Sequence, residues 1–336
     1  MEHSPNSFND LVLGSRRPLA MPLAVYPGLA LTGAKVHDIV TNPQAQCEAQ
    51  LALHERYHTP FVLSAMDLSA EAEAFGCTIQ ASAAEIPSVI GRLVTNFAQA
   101  EKLAVPQPGD RRTAVFLETV RRLRRLPDRP LVLGGCIGPF SLATRLVGVT
   151  EAMEMTVSEP DLLRAVVEKC AAFLTAYLRA FRQAGADGAI MAEPAAGLLS
   201  PRSMAQLSSA YIRQIGAAVE DGHFALVLHN CAARLVHLPA ALETGLSSFH
   251  FGAPMDMVAA LGKVPADVVL CGNLDPVEVF VRLPLAEITL RAADLLAATA
   301  AHRNFVLSSG CDVPPNTPLA NLDAFFAATG AIYPPR

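Results

Sequence analysis

Tryptophan is absent from the 336 residues, and aromatic side chains make up only 6% of them. That scarcity leaves no row of rings on which nucleobases would stack. Charge is thin as well: charged residues are 17% of the chain and the formal net charge is −5. With no basic arm or polybasic run, a phosphate backbone has nothing to bind, so nucleic acid is not an expected partner. Nowhere do about 18 uncharged apolar residues run together, and no membrane span is expected. The opening stretch MEHSPNSFNDLVLGSRRP lacks the basic start and apolar core of a secretory leader. The chain therefore reads as cytoplasmic. No GxGxxG follows a strand-like run, which removes the usual dinucleotide fingerprint. Repeats, low-complexity linkers and charge blocks are missing too, so residues 1–336 read as a single domain.

What is present is apolar. Hydrophobic residues are 51% of the chain, ample for a large core. Seven cysteines, an odd number, are scattered over the length, a pattern of reduced thiols rather than a disulfide scaffold. Short continuous apolar runs recur at 61–67, 131–138, 188–194, 224–231, 267–275 and 304–312, with weaker ones at 19–28 and 247–252. Continuous apolarity marks strands covered on both faces, as in parallel sheets. Helical patterns fill the gaps at 42–58, 159–185, 200–222 and 286–300. Eight strands alternating with helices predict a (β/α)8 TIM barrel with insertions in the N-terminal half. An open doubly wound sheet is the alternative.

Polar residues collect where the apolar runs stop: Asp67, Glu193, His229 with Cys231, Asn273 with Asp275, and Cys311 with Asp312. In a TIM barrel those strand ends carry function. His229 and Cys231 are two apart on a strand and so face the same side. With Cys311 they form an H-x-C…C set of one nitrogen and two sulfurs. Three protein ligands would leave one tetrahedral position open, as at a catalytic zinc, and two thiolates would favour holding an incoming thiol over activating water. Spacing alone leaves simple packing of a His and a Cys open as well. Cys47, Cys77, Cys136, Cys170 and Cys271 have apolar or helical neighbours and read as structural.

The stretches AMDLSAEAEAFGCTI (65–79), GGCIGPFSLATRLVG (134–148), HNC (229–231), CGNLDP (271–276) and SSGCDVPPNTPLANLDAF (308–325) carry a resemblance. The chain resembles the uroporphyrinogen decarboxylase superfamily, and within it the corrinoid-linked methyltransferases that methylate coenzyme M. The resemblance implies a TIM barrel with its site at the C-terminal mouth and Zn2+ held by His229, Cys231 and Cys311. It also implies transfer of a methyl group from methylcobalamin, or a corrinoid supplied by a partner protein, to a small acceptor such as a thiol. The reverse direction from a methoxy or methylamine donor, transfer to tetrahydrofolate, and tetrapyrrole binding are the alternatives. Two features depart from the thiol-methylating pattern. Ala232 stands where a glycine is usual, and His250 lies where many relatives carry an acid. Arg16 and Arg17 are all that the N-terminal segment offers toward the arginine-containing motif of the decarboxylases.

Further roles are expected at the strand ends. Asp67 would contact the corrinoid or order the mouth, or else cap the next helix. Glu193 would serve as a displaceable ligand or general base, or be a carboxylate held by backbone N–H groups. Asn273 and Asp275 would touch the cofactor or build a turn, Asp312 would orient His229, and His250 would meet substrate. Gly134, Gly135 and Gly138 would let a bulky ligand approach the backbone.

Overall fold

The structure, a computed structural model, describes residues 8–330. Its strands are β1 (Leu19–Ala20), β2 (Phe61–Leu63), β3 (Thr78–Gln80), β4 (Ser88–Ile90), β5 (Leu131–Ile137), β6 (Gly188–Ala192), β7 (Ala225–Asn230), β8 (Ser248–Phe251), β9 (Val269–Leu274) and β10 (Phe305–Ser309). Eight of them form one curled parallel sheet in the order β1-β10-β9-β8-β7-β6-β5-β2. β3 and β4 pair as a separate antiparallel hairpin, the expected N-terminal insertion. Each of the eight apolar runs became a strand of the TIM barrel. The first is the shortest, because Pro22 has no N–H to offer a ladder.

The helices that matter below are α1 (Pro43–Tyr57), α2 (Ala70–Phe75), α3 (Thr113–Leu123), α4 (Pro139–Val147) and α5 (Pro160–Ala184). α1 starts cleanly because Asn42 accepts from the amides of Gln44 and Ala45, an N-cap ahead of a first-turn proline. α5 ends at Gly185, whose φ of 101° needs a residue without a Cβ. Phe173, Tyr177 and Phe181 line the buried face of α5. Gly134 on β5 makes room for Phe181, whose ring would lie 2.8 Å from a Cβ there. The segment 200–222, expected as one helix, runs as Pro201–Met204 and Ala210–Val219 joined by a π-helical turn at Ala205–Ser209.

No backbone ladder joins β1 to β2 among the described residues. The amides of β2 that face this seam are taken by side chains of α1. Leu63 donates to Gln50 Oε1 at 2.9 Å and Ala65 to Gln46 Oε1 at 3.0 Å. Gln46 and Gln50 are buried, at 0% and 5% exposure respectively, and so replace a missing strand neighbour. A similar substitution extends β5 past the end of β2, where Gly135 donates to Ser64 Oγ and Ile137 to Glu71 Oε1.

Candidate metal centre

All strand ends of a parallel barrel open on one side, and β7 and β10 bring the H-x-C…C residues together there. One ligand atom from each of His229, Cys231 and Cys311 lies within 4.8 Å of the others. Two glycines permit the approach. A Cβ on Gly252 would meet the Cys231 backbone at 2.2 Å, and one on Gly310 would meet Ala253 N at 2.8 Å. The three ligands border a cavity of about 300 Å³ whose walls include Met66, Ile86, Val89, Arg145, Pro194 and Asp312. The hairpin thus closes the cavity over the strand ends.

His229 is buried and its orientation is dictated from behind. Its Nδ1 lies 2.8 Å from Nδ1 of His250, and His250 Nε2 lies 2.8 Å from Ser308 Oγ. The Ser308 hydroxyl donates to the Met21 carbonyl, so its oxygen accepts from His250 Nε2–H. His250 Nδ1 is then an acceptor, and His229 must carry its proton on Nδ1. That leaves a bare lone pair on His229 Nε2, which is buried without a hydrogen-bond partner. Burial, with His229 beside it, holds the His250 pKa well below the ordinary value, which favours the neutral imidazole there.

The Cys311 thiol donating toward Cys231 lowers the Cys231 pKa to about 7, against an opposing effect of burial. The same contact and burial push Cys311 up, with His229 pulling it back. An orphan imidazole nitrogen beside two cysteine sulfurs is a borderline-soft donor set that fits Zn2+.

The other expected site residues are occupied elsewhere. Glu193 is fully buried and accepts from Phe140 N (2.9 Å), Ser141 N (2.8 Å) and Ser208 Oγ (2.8 Å). It caps the N-terminus of α4, and the π-helical turn brings Ser208 to it. Burial raises its pKa, opposed by these hydrogen bonds. Asp67 accepts from Ser69 N and Oγ and is ion-paired with Arg112, whose Nε reaches Glu73 at 2.6 Å. It orders the mouth from inside a buried network. Asn273 donates to the carbonyls of Gly252 and Met255, and Asp275 accepts from Val277 N and Glu278 N; both brace the loop after β9.

Two expectations need correcting. His229 is oriented by His250, not by Asp312, because His250 is its register partner on the adjacent strand. Asp312 lies on the cavity wall, its pKa raised by burial and by Cys311. The glycines on and just after β5 admit protein rather than ligand: Met66 crowds Gly135, and Glu193 lies 2.4 Å from a Cβ on Gly138. Sequence reading missed Ser308 and Arg145. Arg145 carried a visible signal, being the lone charge in the otherwise apolar-faced helix PFSLATRLV.

Known proteins similar to this chain point to one family. The family model for uroporphyrinogen decarboxylase (URO-D) matches residues 18–332. The methylcobamide:CoM methyltransferase MtbA of Methanosarcina mazei is 30% identical over 290 residues, 83% of this chain and 84% of that protein. A uroporphyrinogen decarboxylase of Ectopseudomonas mendocina is 27% identical over 316 residues, covering 90% and 88%. A solved methyltransferase structure from Methanosarcina mazei superposes with a TM-score of 0.86 at 25% identity, covering 96% of each chain. The chain belongs to the uroporphyrinogen decarboxylase family, on the side of its corrinoid-dependent methyltransferases.

Proposed function

We propose that the chain transfers a methyl group from a corrinoid, presented by a partner protein, to a small thiol held at a zinc ion. The observation that carries this reading is the unpartnered His229 Nε2 beside the sulfurs of Cys231 and Cys311 at the edge of the cavity. Zinc bound by these three residues supplies a fourth position at which an acceptor thiol ionises at neutral pH. The relay from Met21 through Ser308 and His250 keeps the His229 proton on Nδ1, so its Nε2 is always ready as a ligand. Cys231 and Cys311 would bind as thiolates, each releasing any thiol proton it carries. The apolar wall of Met66, Leu68, Ile86 and Val89 would keep water from an acceptor thiol bound there and limit the ways it can lie. Methyl transfer to sulfur needs no acid–base pair, which agrees with Glu193 and Asp67 serving as braces.

A corrin ring is larger than the ~300 Å³ cavity, so the donor is presented at the mouth. Tetrapyrrole decarboxylation fits less well, because Arg145 is the single cation among the cavity-lining residues and several carboxylates would need partners.

Metal analysis and a methylcobalamin assay test the reading together. Purified protein is expected to carry zinc in equimolar amount and to methylate thiols. Cys231→Ser and Cys311→Ser are each expected to lose both the metal and the activity. Full activity in zinc-free wild-type protein overturns the proposal.

A further inference from the structure

Five of the seven cysteines are buried, and Cys231 and Cys311 are the two that are not. Both border the cavity at the strand ends, within reach of a small solute. Their sulfurs lie within 4.8 Å of each other. A disulfide needs about 2.05 Å, so the two side chains together have less than about 3 Å to close. The backbones are near one another as well. A Cβ on Gly252 would meet the Cys231 carbonyl oxygen at 2.2 Å, and one on Gly310, next to Cys311, would meet the Gly252 Cα at 3.1 Å. One glycine therefore separates the two segments that carry these thiols. The other cysteines are poor competitors. Burial pushes the thiols of Cys47, Cys77, Cys136, Cys170 and Cys271 up, away from the reactive thiolate.

We propose that Cys231 and Cys311 are an oxidative modification site: in the zinc-free chain a peroxide joins them as a disulfide, which shuts the centre until a thiol reductant reopens it. That the shut centre is one for zinc rests on the function proposed above; the disulfide rests on the two thiols alone. One sulfur attacks a peroxide oxygen, the O–O bond breaks, and the leaving hydroxide departs as water with the thiol proton. The sulfenic sulfur so formed is attacked by the second sulfur, its S–O bond breaks, and a second water leaves with the other proton. Two thiols and one hydrogen peroxide become one disulfide and two waters, with two electrons passing from sulfur to oxygen. Sulfurs committed to a metal have those lone pairs engaged, so zinc and peroxide compete for the same two residues.

Peptide mapping by mass spectrometry tests this on the full chain, exposed to hydrogen peroxide and then alkylated without reduction. Zinc-free wild type is expected to yield a Cys231–Cys311 cross-linked peptide and to show two fewer free thiols than the seven of the reduced chain. Its affinity for zinc, read with a chromophoric chelator, should fall about tenfold or more and return after dithiothreitol. Chain loaded with zinc beforehand should form the cross-link about tenfold or more slowly. Sulfenic or sulfinic acid on either residue with no cross-linked peptide overturns the proposal. A cross-link that forms as fast with zinc bound, or that leaves zinc uptake unchanged, overturns it too. A reduced chain that takes up no zinc defeats the thiol-methylating reading by itself, and the cross-linked peptide still decides whether the two cysteines are a modification site.

Discussion

Imidazole offers a metal one lone pair at a time, and the partner of its other nitrogen chooses which. His229 has that choice made for it by His250 and Ser308, residues with no charge and no exposure. Ser308→Ala is therefore expected to weaken zinc binding about 10- to 100-fold without unfolding the barrel, as read by competition with a chromophoric chelator; unchanged affinity would reduce the relay to packing. His229 and Cys231 were legible in the sequence because strand alternation places them together. Ser308 was not, because it meets His250 across an intervening strand, 58 residues away in the chain. Glu71 escaped notice because its partner, the Ile137 amide on β5, lies 66 residues away in the chain. It is buried, one of its oxygens has no partner, and desolvation raises its pKa to about 7. The folded state binds that proton more tightly than the unfolded state does. Its contribution to stability is whole below about pH 4.5 and is lost as pH rises through about 7, on the order of 3 kcal/mol in all. Glu71→Gln should thus gain on wild type in denaturant melts at pH 8, and the gain should vanish by pH 4.5. An identical difference at both pH values would show that the proton plays no part.

Secondary-structure elements were read well where burial is two-sided. The continuous runs ending at Asp67, Glu193 and Cys231 could only be parallel strands, and the helices between them followed from their apolar spacing. What the pattern concealed was a helix doing the work of a strand. Gln46 and Gln50 look like the wet face of α1, yet they are buried against the open edge of β2. Gln50→Leu keeps the size of the side chain and leaves the Leu63 amide unsatisfied. A loss of about 1–3 kcal/mol is expected in denaturant unfolding, and a loss near zero would mean that water takes over. The π-helical turn at Ala205–Ser209 was equally hidden, since an extra residue per turn leaves no mark on an apolar pattern. Its effect is to swing Ser208 onto Glu193, so the element that looks irregular is the one that ties α4 to β6.

At the scale of the whole molecule, ligands, cavity and rim all lie on one side of the barrel. Leu198 and Val236, on the segments that follow β6 and β7, are 62% and 60% exposed. His237 joins the two segments through the Leu199 carbonyl at 3.1 Å. Exposed apolar side chains on these segments would suit the docking of the proposed corrinoid-carrying partner. Leu198→Asp with Val236→Asp is expected to raise the KM for a corrinoid-carrying protein about tenfold or more, with free methylcobalamin used as before. Equal losses with both donors would place these residues in folding rather than docking. The seam between β1 and β2 bears on the same event. Tyr26 reaches across it to the Met66 carbonyl at 3.3 Å, and Met66 is part of the cavity wall. Met21, on the other lip, holds the end of the histidine relay. A fully laddered barrel resists widening everywhere, because each added ångström breaks backbone pairs. Here the β1–β2 seam beside the candidate metal centre is closed by side-chain contacts rather than a ladder, so widening there would break no backbone pair between strands.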